Sequence, residues 1–343
     1  MKILGIETSC DETAAAVVSK ERDNIKVLSN IVSSQIDIHK KYGGVIPEIA
    51  AREHVLQILP IIDKALNKAG INHKKLDAIA VASGPGLITS LQTGVETAKS
   101  LAFAWNKPII PVNHVEAHIY SGFIDNYKKI KFPALVLTVS GGHTNLVFMR
   151  RHGKYEKAGE TRDDAAGEAF DKAAKLMNIG YPGGPVVSAE AEKISNIQYP
   201  ISNISLPRPM MHTKDFDFSF SGLKTALLYE LRKDKDWKKK VPDYCHEFQQ
   251  AVIDVLVYKT IKAAKKFKAK SVILTGGVSA NQELRRQLEE SVCRDLDKVE
   301  FFTPQFAYTT DNAAMVAMAG LFHFISGDIS DWRKVSADCN FEL

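Results

Sequence analysis

The chain of 343 residues is 45% hydrophobic and 25% charged, a composition that supports ample core in two domains or lobes and excludes disordered and fibrous classes. Its net charge of +5 leans towards anionic partners without separating RNA from nucleotides. Cys10, Cys245, Cys293 and Cys339 are dispersed with no CxxC pair, which excludes a disulfide framework and a cysteine-based zinc site; with no leader pattern and no long apolar run, the chain is expected to be cytoplasmic and free of membranes.

Residues 2–7 read as a buried strand, residues 8–13 as a small polar turn with an acidic tip, and residues 14–18 as the returning strand. A helix is expected from near Pro47 to Gly70, with Ile49, Val55, Leu56, Leu59, Ile62 and Leu66 as apolar positions and a kink at Pro60. Residues 77–82 form a strand ending in Ser83-Gly84-Pro85-Gly86, which suits either an anion-binding loop or a plain tight turn before the next helix. Residues 109–112 are a short buried strand feeding a helix at Asn113-His114-Val115-Glu116-Ala117-His118. Residues 133–138, 139–144 and 145–149 then repeat the strand–turn–strand unit, the mark of an internal duplication.

In the second half, residues 161–177 read as a helix, 181–185 as a sharp turn, and 198–221 as an irregular loop of functional or mobile character. Residues 233–240 are a solvated charge run, and a long helix follows at about 242–267. The strand 271–275 turns through Gly276–Asn281 into a helix over 281–291, and 299–303 is the last strand. Residues 308–312 open a helix of small side chains, Ala313, Ala314, Ala317, Ala319 and Gly320, expected to pack closely and cross back to the first lobe.

His114 and His118 are four residues apart on one helix face, so both imidazoles can hold one metal ion. Glu116 lies about 200° around the helix from either, so the pair lacks the adjacent base of a His-Glu-x-x-His protease. Three small-residue turns, at 8–13, 139–144 and 275–281, each close a strand, where ligands collect in open α/β sheets and glycine lets backbone approach a phosphate. This pattern predicts an α/β chain of two duplicated lobes with a ligand cleft between them, clamping phosphate and adenosine as actin-like ATPases and sugar kinases do. Asp11 and Glu12 suit either turn capping or proton abstraction.

Residues 6–13, 114–118, 139–144, 164–171, 181–185, 276–281 and 310–312 together resemble the TsaD family, tRNA threonylcarbamoyltransferases once described as O-sialoglycoprotein endopeptidases, over essentially the whole chain. The resemblance implies the actin/Hsp70/sugar-kinase (ASKHA) fold, with lobes expected at 1–112 plus 309–343 and at 113–308. It implies transfer of a threonylcarbamoyl group from threonylcarbamoyl-AMP to N6 of adenosine 37 in tRNAs reading codons that begin with A, with release of AMP. By resemblance, His114, His118 and Asp311 look like ligands of one iron or zinc ion. Thr138, Val139, Ser140, Gly141, Gly142, Asp171, Gly184 and Asn281 look like adenylate-binding residues. Thr138 stands where archaeal and eukaryotic members place a tyrosine, which looks bacterial and implies a paralogous TsaB-like subunit and a small TsaE-like P-loop ATPase as partners.

The chemistry fits the residues. Adenine's amine is a poor nucleophile, so Asp11 or Glu12 as catalytic base would take its proton. Arg208, Lys214 and Lys224 are candidates for touching tRNA. A sugar kinase or chaperone-like ATPase would leave the histidine pair idle, a metalloprotease lacks its base, and a non-catalytic scaffold has no need of the pair.

Overall fold

The computed structural model describes all residues except 196–203, so the first part of the loop expected at 198–221 lies outside the described residues. The chain divides into two compact units, Met1–Ile130 with Pro304–Leu343, and Lys131–Thr303.

In the first unit, strands β1 (Lys2–Glu7), β2 (Glu12–Glu21), β3 (Asn24–Ser34), β4 (Ala78–Gly84) and β5 (Ile109–Asn113) form a sheet in the order β3-β2-β1-β4-β5. The first three strands are an antiparallel meander, and β4 and β5 join parallel to β1. Alternation along the strands assigns the two faces. Leu4, Ile6, Ile79 and Val81 pack with Ile58, Ile61, Ile62, Val95 and Ala98 from helices Pro47–Lys68 and Ile88–Trp105. Gly5 and Ala80 face the opposite way and receive helix Ala313–Ser326 at backbone distance. A Cβ at Gly5 would overlap the Ala313 carbonyl and lie 2.7 Å from Ala317 N, and one at Gly320 would overlap the Ala80 methyl. The small side chains of that helix therefore serve close approach, as expected.

Helix Pro47–Lys68 runs through Pro60 without interruption, and its buried face differs from the expected one. Ala50, His54, Ile58, Ile61, Ile62 and Ala65 point inward, whereas Val55, Leu56 and Leu59 are 64%, 64% and 58% exposed. Two apolar stripes compete on this helix, and hydrophobicity alone does not say which one the sheet takes.

In the second unit, β6 (Ala134–Val139), β7 (Thr144–Arg151), β8 (Lys154–Glu160), β9 (Ser271–Thr275) and β10 (Glu300–Phe302) are ordered β10-β9-β6-β7-β8. Read from the other edge, this is the first sheet again: a three-strand meander with two parallel strands beside its first member. The duplication extends to topology. The helix expected from 161 starts at Ala166. Residues 161–165 are instead held as a turn, because the Asp163 carboxylate accepts from the Phe220 and Ser221 N–H groups and from the Ser219 and Ser221 hydroxyls. The long helix spans Val241–Phe267. Helix His114–Ser121, expected to open the second lobe, belongs to the first unit; it is buried along its length, with Tyr120 stacked on Phe322 of helix Ala313–Ser326 at 5.0 Å.

Candidate metal centre and anion-binding turn

Strand β5 ends at Asn113, whose side chain caps the following helix by accepting from the Val115 and Glu116 N–H groups at 2.8 and 3.1 Å. The cap fixes the first turn, so His114 and His118 project side by side, their rings 4.6 Å apart and nearly perpendicular. Asn312 caps helix Ala313–Ser326 in the same way, accepting from the Met315 N–H, and the residue before it delivers the third group. Asp311 Oδ1 lies 3.6 Å from His114 Nε2 and 3.1 Å from His118 Nε2. The three donor atoms fall within 4.8 Å of one another.

Two observations say that this cluster suits a cation. His118 is fully buried, yet among the described residues neither ring nitrogen makes a hydrogen bond, a costly arrangement unless a ligand bond replaces it. His114 directs Nδ1 at the buried Glu7 carboxylate at 3.1 Å, with Ser9 Oγ also at 3.1 Å. That contact fixes the ring so that Nε2 faces the cluster, as a carboxylate behind a metal-bound histidine does. Burial alone would lower the His114 pKa, but the Asp311 and Glu7 charges raise it to about 9. Two imidazoles and a carboxylate match a divalent transition ion. Sequence reasoning placed Glu7 at the end of a buried strand and gave it no role, because its partner His114 lies more than a hundred residues further along the chain.

Glu116 points away from the cluster, as its helical angle requires. Its carboxylate lies 2.8 Å from His323 Nε2, and His323 Nδ1 lies 2.7 Å from Asp328. Replacing Glu116 by Gln is expected to leave metal content unchanged by elemental analysis, while weakening a buried pair and lowering stability by about 1–3 kcal/mol.

Asp11 and Glu12 are nearly buried at the β1–β2 tip. Glu12 accepts from the Ser34 hydroxyl at 3.2 Å; burial, with the nearby Asp311 and Asp11 charges, holds its pKa well above the usual carboxylate range. The turn at 83–86 packs tightly on the first one. A Cβ at Gly86 would sit 2.6 Å from the Ser9 carbonyl, which already accepts from the Leu87 N–H at 2.8 Å.

In the second unit, Thr138 on β6 is paired with Thr275 on β9, their hydroxyls 3.1 Å apart. The next turn is tied by Ser140 N–H to the His143 carbonyl at 2.8 Å, and by His143 N–H to Ser140 Oγ at 3.1 Å. Gly141 and Gly142 are exposed between them. A Cβ on either would meet nothing within 4 Å, so neither glycine is demanded by packing inside the chain. Gly276 is different: its φ is +87° and a Cβ there would overlap the Val139 carbonyl. Asp171 Oδ1 accepts from the Gly183 N–H at 2.6 Å, holding the start of helix Gly183–Ser195, which carries Gly184, so the turn expected at 181–185 is already helical from 183. Asn281 caps helix Gln282–Asp295 through the Leu284 N–H at 2.9 Å and donates to Ser188 Oγ and Gln249 Oε1, each at 2.8 Å. Arg208 is engaged with Glu247 and Asp254 of the long helix and holds the loop to it; Lys214 is exposed and Lys224 half-buried.

Comparison with known proteins accords with this geometry. The sequence profile of the TsaD family, described as tRNA N6-adenosine threonylcarbamoyltransferase, matches residues 26–318. Proteins of that name from Bacillus subtilis and Thermomicrobium roseum are 48% and 49% identical to this chain, covering 95% and 94% of it and 92% of each relative. Among solved structures, HypF from T. kodakarensis aligns over 95% of this chain and 48% of its own, with a TM-score of 0.63 at 13% identity. A ROK family glucokinase from Streptomyces griseus aligns over 94% and 99%, with a TM-score of 0.51 at 13% identity. These two likenesses identify the ASKHA fold alone. With the profile match and near full-length relatives agreeing, the chain belongs to the TsaD family of tRNA N6-adenosine threonylcarbamoyltransferases.

Proposed function

We propose that the family's reaction, transfer of threonylcarbamoyl from threonylcarbamoyl-AMP to N6 of adenosine 37 in tRNA, runs in this chain on three groups of residues. His114, His118 and Asp311 hold one divalent ion, iron or zinc, and the unbonded buried nitrogens of His118 are the observation that carries this reading. A bound ion there would supply Lewis-acid polarisation of a substrate oxygen. The backbone of Ser140, Gly141 and Gly142, with Thr138, Val139 and Gly184, holds the adenylate. Asp171 and Asn281, whose side chains also hold the starts of helices Gly183–Ser195 and Gln282–Asp295, complete the adenylate-binding set. Asp11 or Glu12 takes the proton: as N6 attacks the carbonyl carbon, the C–N bond forms, the C–O bond to phosphate breaks, AMP leaves, and the N6 proton passes to the carboxylate. An ATPase or kinase reading accounts for the turns but leaves the first cluster without a task. The test is reconstitution with unmodified tRNA, threonine, bicarbonate and ATP, adding the adenylate synthase and partners in turn. Modified adenosine that needs this chain and its metal supports the reading; modification without either refutes it.

The partners extend the proposal. The exposed Val55, Leu56 and Leu59 make an apolar face on helix Pro47–Lys68 suited to a paralogous TsaB-like subunit, with a TsaE-like P-loop ATPase acting on that assembly. Arg208, Lys214 and Lys224 remain candidates for tRNA. No helix of the described residues is long and apolar enough to cross a membrane, and work on tRNA would place the chain in the cytoplasm. The chain alone is expected to turn over poorly. Leu56→Glu with Leu59→Glu should abolish co-purification with the paralogue and its stimulation of turnover, while shifting stability by under about 1 kcal/mol because both positions are exposed. Efficient multiple turnover by the isolated chain would refute the dependence.

A further inference from the structure

His54, on the inward face of helix Pro47–Lys68, is fully buried and lies outside the metal cluster. Its Nε2 is 3.0 Å from the Cys10 carbonyl oxygen, and its Nδ1 is 2.8 Å from Thr13 Oγ1. A carbonyl only accepts, so Nε2 carries the hydrogen and Nδ1 accepts from the Thr13 hydroxyl. Burial lowers the His54 pKa, in keeping with a neutral ring. The two anchor points bracket Asp11 and Glu12. Gln35 supports the same turn: its N–H donates to the Asp11 carbonyl at 3.0 Å, and its side chain donates to the Ala50 carbonyl at 3.3 Å. Asp11 and Glu12 thus hang from helix Pro47–Lys68 through one imidazole that grips both ends of the turn.

We propose that His54 is the positioning residue of the acidic turn, bridging Cys10 and Thr13 so that Asp11 and Glu12 keep the orientation in which one of them accepts the N6 proton. The inference rests on reading that turn as the proton acceptor. A histidine that only filled space would be replaceable by an apolar residue of similar volume, because packing tolerates volume-conserving exchange. A histidine that grips the turn would not, because His54→Leu removes both bonds and leaves the Cys10 carbonyl without its ring donor.

The turn carries its own reporter. Cys10 is half-buried within it, whereas Cys293 and Cys339 are exposed and Cys245 is buried. In metal-loaded protein, the alkylation rate of Cys10 by N-ethylmaleimide, followed by mass spectrometry of its peptide, measures how tightly the turn is held. Single-turnover transfer from threonylcarbamoyl-AMP to saturating tRNA measures its chemical competence. For His54→Leu, Cys10 should be alkylated roughly tenfold faster and transfer should slow about 100-fold, with metal content and the tRNA KM unchanged. His54→Gln, which restores a donor towards the Cys10 carbonyl, should recover part of both, and Thr13→Val should fall between. If His54→Leu does not fold, His54→Gln and Thr13→Val carry the comparison. Wild-type alkylation and transfer in the folded variants would overturn the proposal, as would loss of the metal in them. Faster alkylation with unchanged transfer would keep His54 as the grip on the turn but remove the turn from proton transfer.

Discussion

Alanine at His118 or at Asp311 is expected to strip the bound metal and reduce threonylcarbamoyl transfer by roughly 100-fold or more, since two ligands seldom suffice for a divalent site. The two variants should differ from His114→Ala in stability. His118 makes no hydrogen bond through its ring nitrogens among the described residues, so beyond its 3.1 Å contact with Asp311 its removal costs packing, of order 2–3 kcal/mol. His114 answers the fully buried Glu7 carboxylate at 3.1 Å, and deleting it leaves an uncompensated charge that costs about 3–5 kcal/mol. His118→Ala is therefore the cleaner probe of function. Glu7→Gln should keep the ring in place and lower metal affinity by about 10–100-fold, the usual effect of losing a carboxylate behind a metal-bound histidine. Metal analysis and thermal unfolding of the four proteins separate these outcomes. Full metal occupancy in Asp311→Ala would remove that residue from the site.

The parts of the site that follow from chain-local rules were legible in the sequence. His114 and His118 share a face because the helix has 3.6 residues per turn, and Glu116 points elsewhere for the same reason. The repeated strand–turn–strand unit foretold two sheets of one topology. What escaped sequence reasoning depends on contacts between distant segments. Glu7 matters because β1 ends beside a helix more than a hundred residues later in the chain, and nothing in its own neighbourhood signals a buried acid. The inward stripe of helix Pro47–Lys68 was misread because Val55, Leu56 and Leu59 are as apolar as Ile58, Ile61 and Ile62, and only the docked sheet distinguishes them. Arg208 read as a surface cation until the long helix supplied Glu247 and Asp254. Asp311 entered by resemblance, and its placement depends on Gly5, whose lack of a side chain lets helix Ala313–Ser326 settle on β1.

Valine in place of Gly141 is expected to weaken adenylate binding about 100-fold while leaving the fold intact. A Cβ at Gly141 would meet nothing within 4 Å, and the residue is not among those with positive φ, so a side chain there is neither strained nor crowded by the chain itself. Any penalty must then come from what approaches the turn, where the Ser140–Gly142 backbone is proposed to meet a phosphate. Isothermal titration with a non-hydrolysable threonylcarbamoyl-adenylate analogue measures that penalty, and thermal unfolding confirms that the protein stays folded, with a melting temperature within a few degrees of wild type. Gly276→Ala is the matched control. With φ at +87° and the Val139 carbonyl in the path of a Cβ, it should lose stability by about 1–3 kcal/mol whatever the ligand does. If Gly141→Val binds the analogue as tightly as wild type, the turn does not approach the phosphate, and the adenylate is held elsewhere.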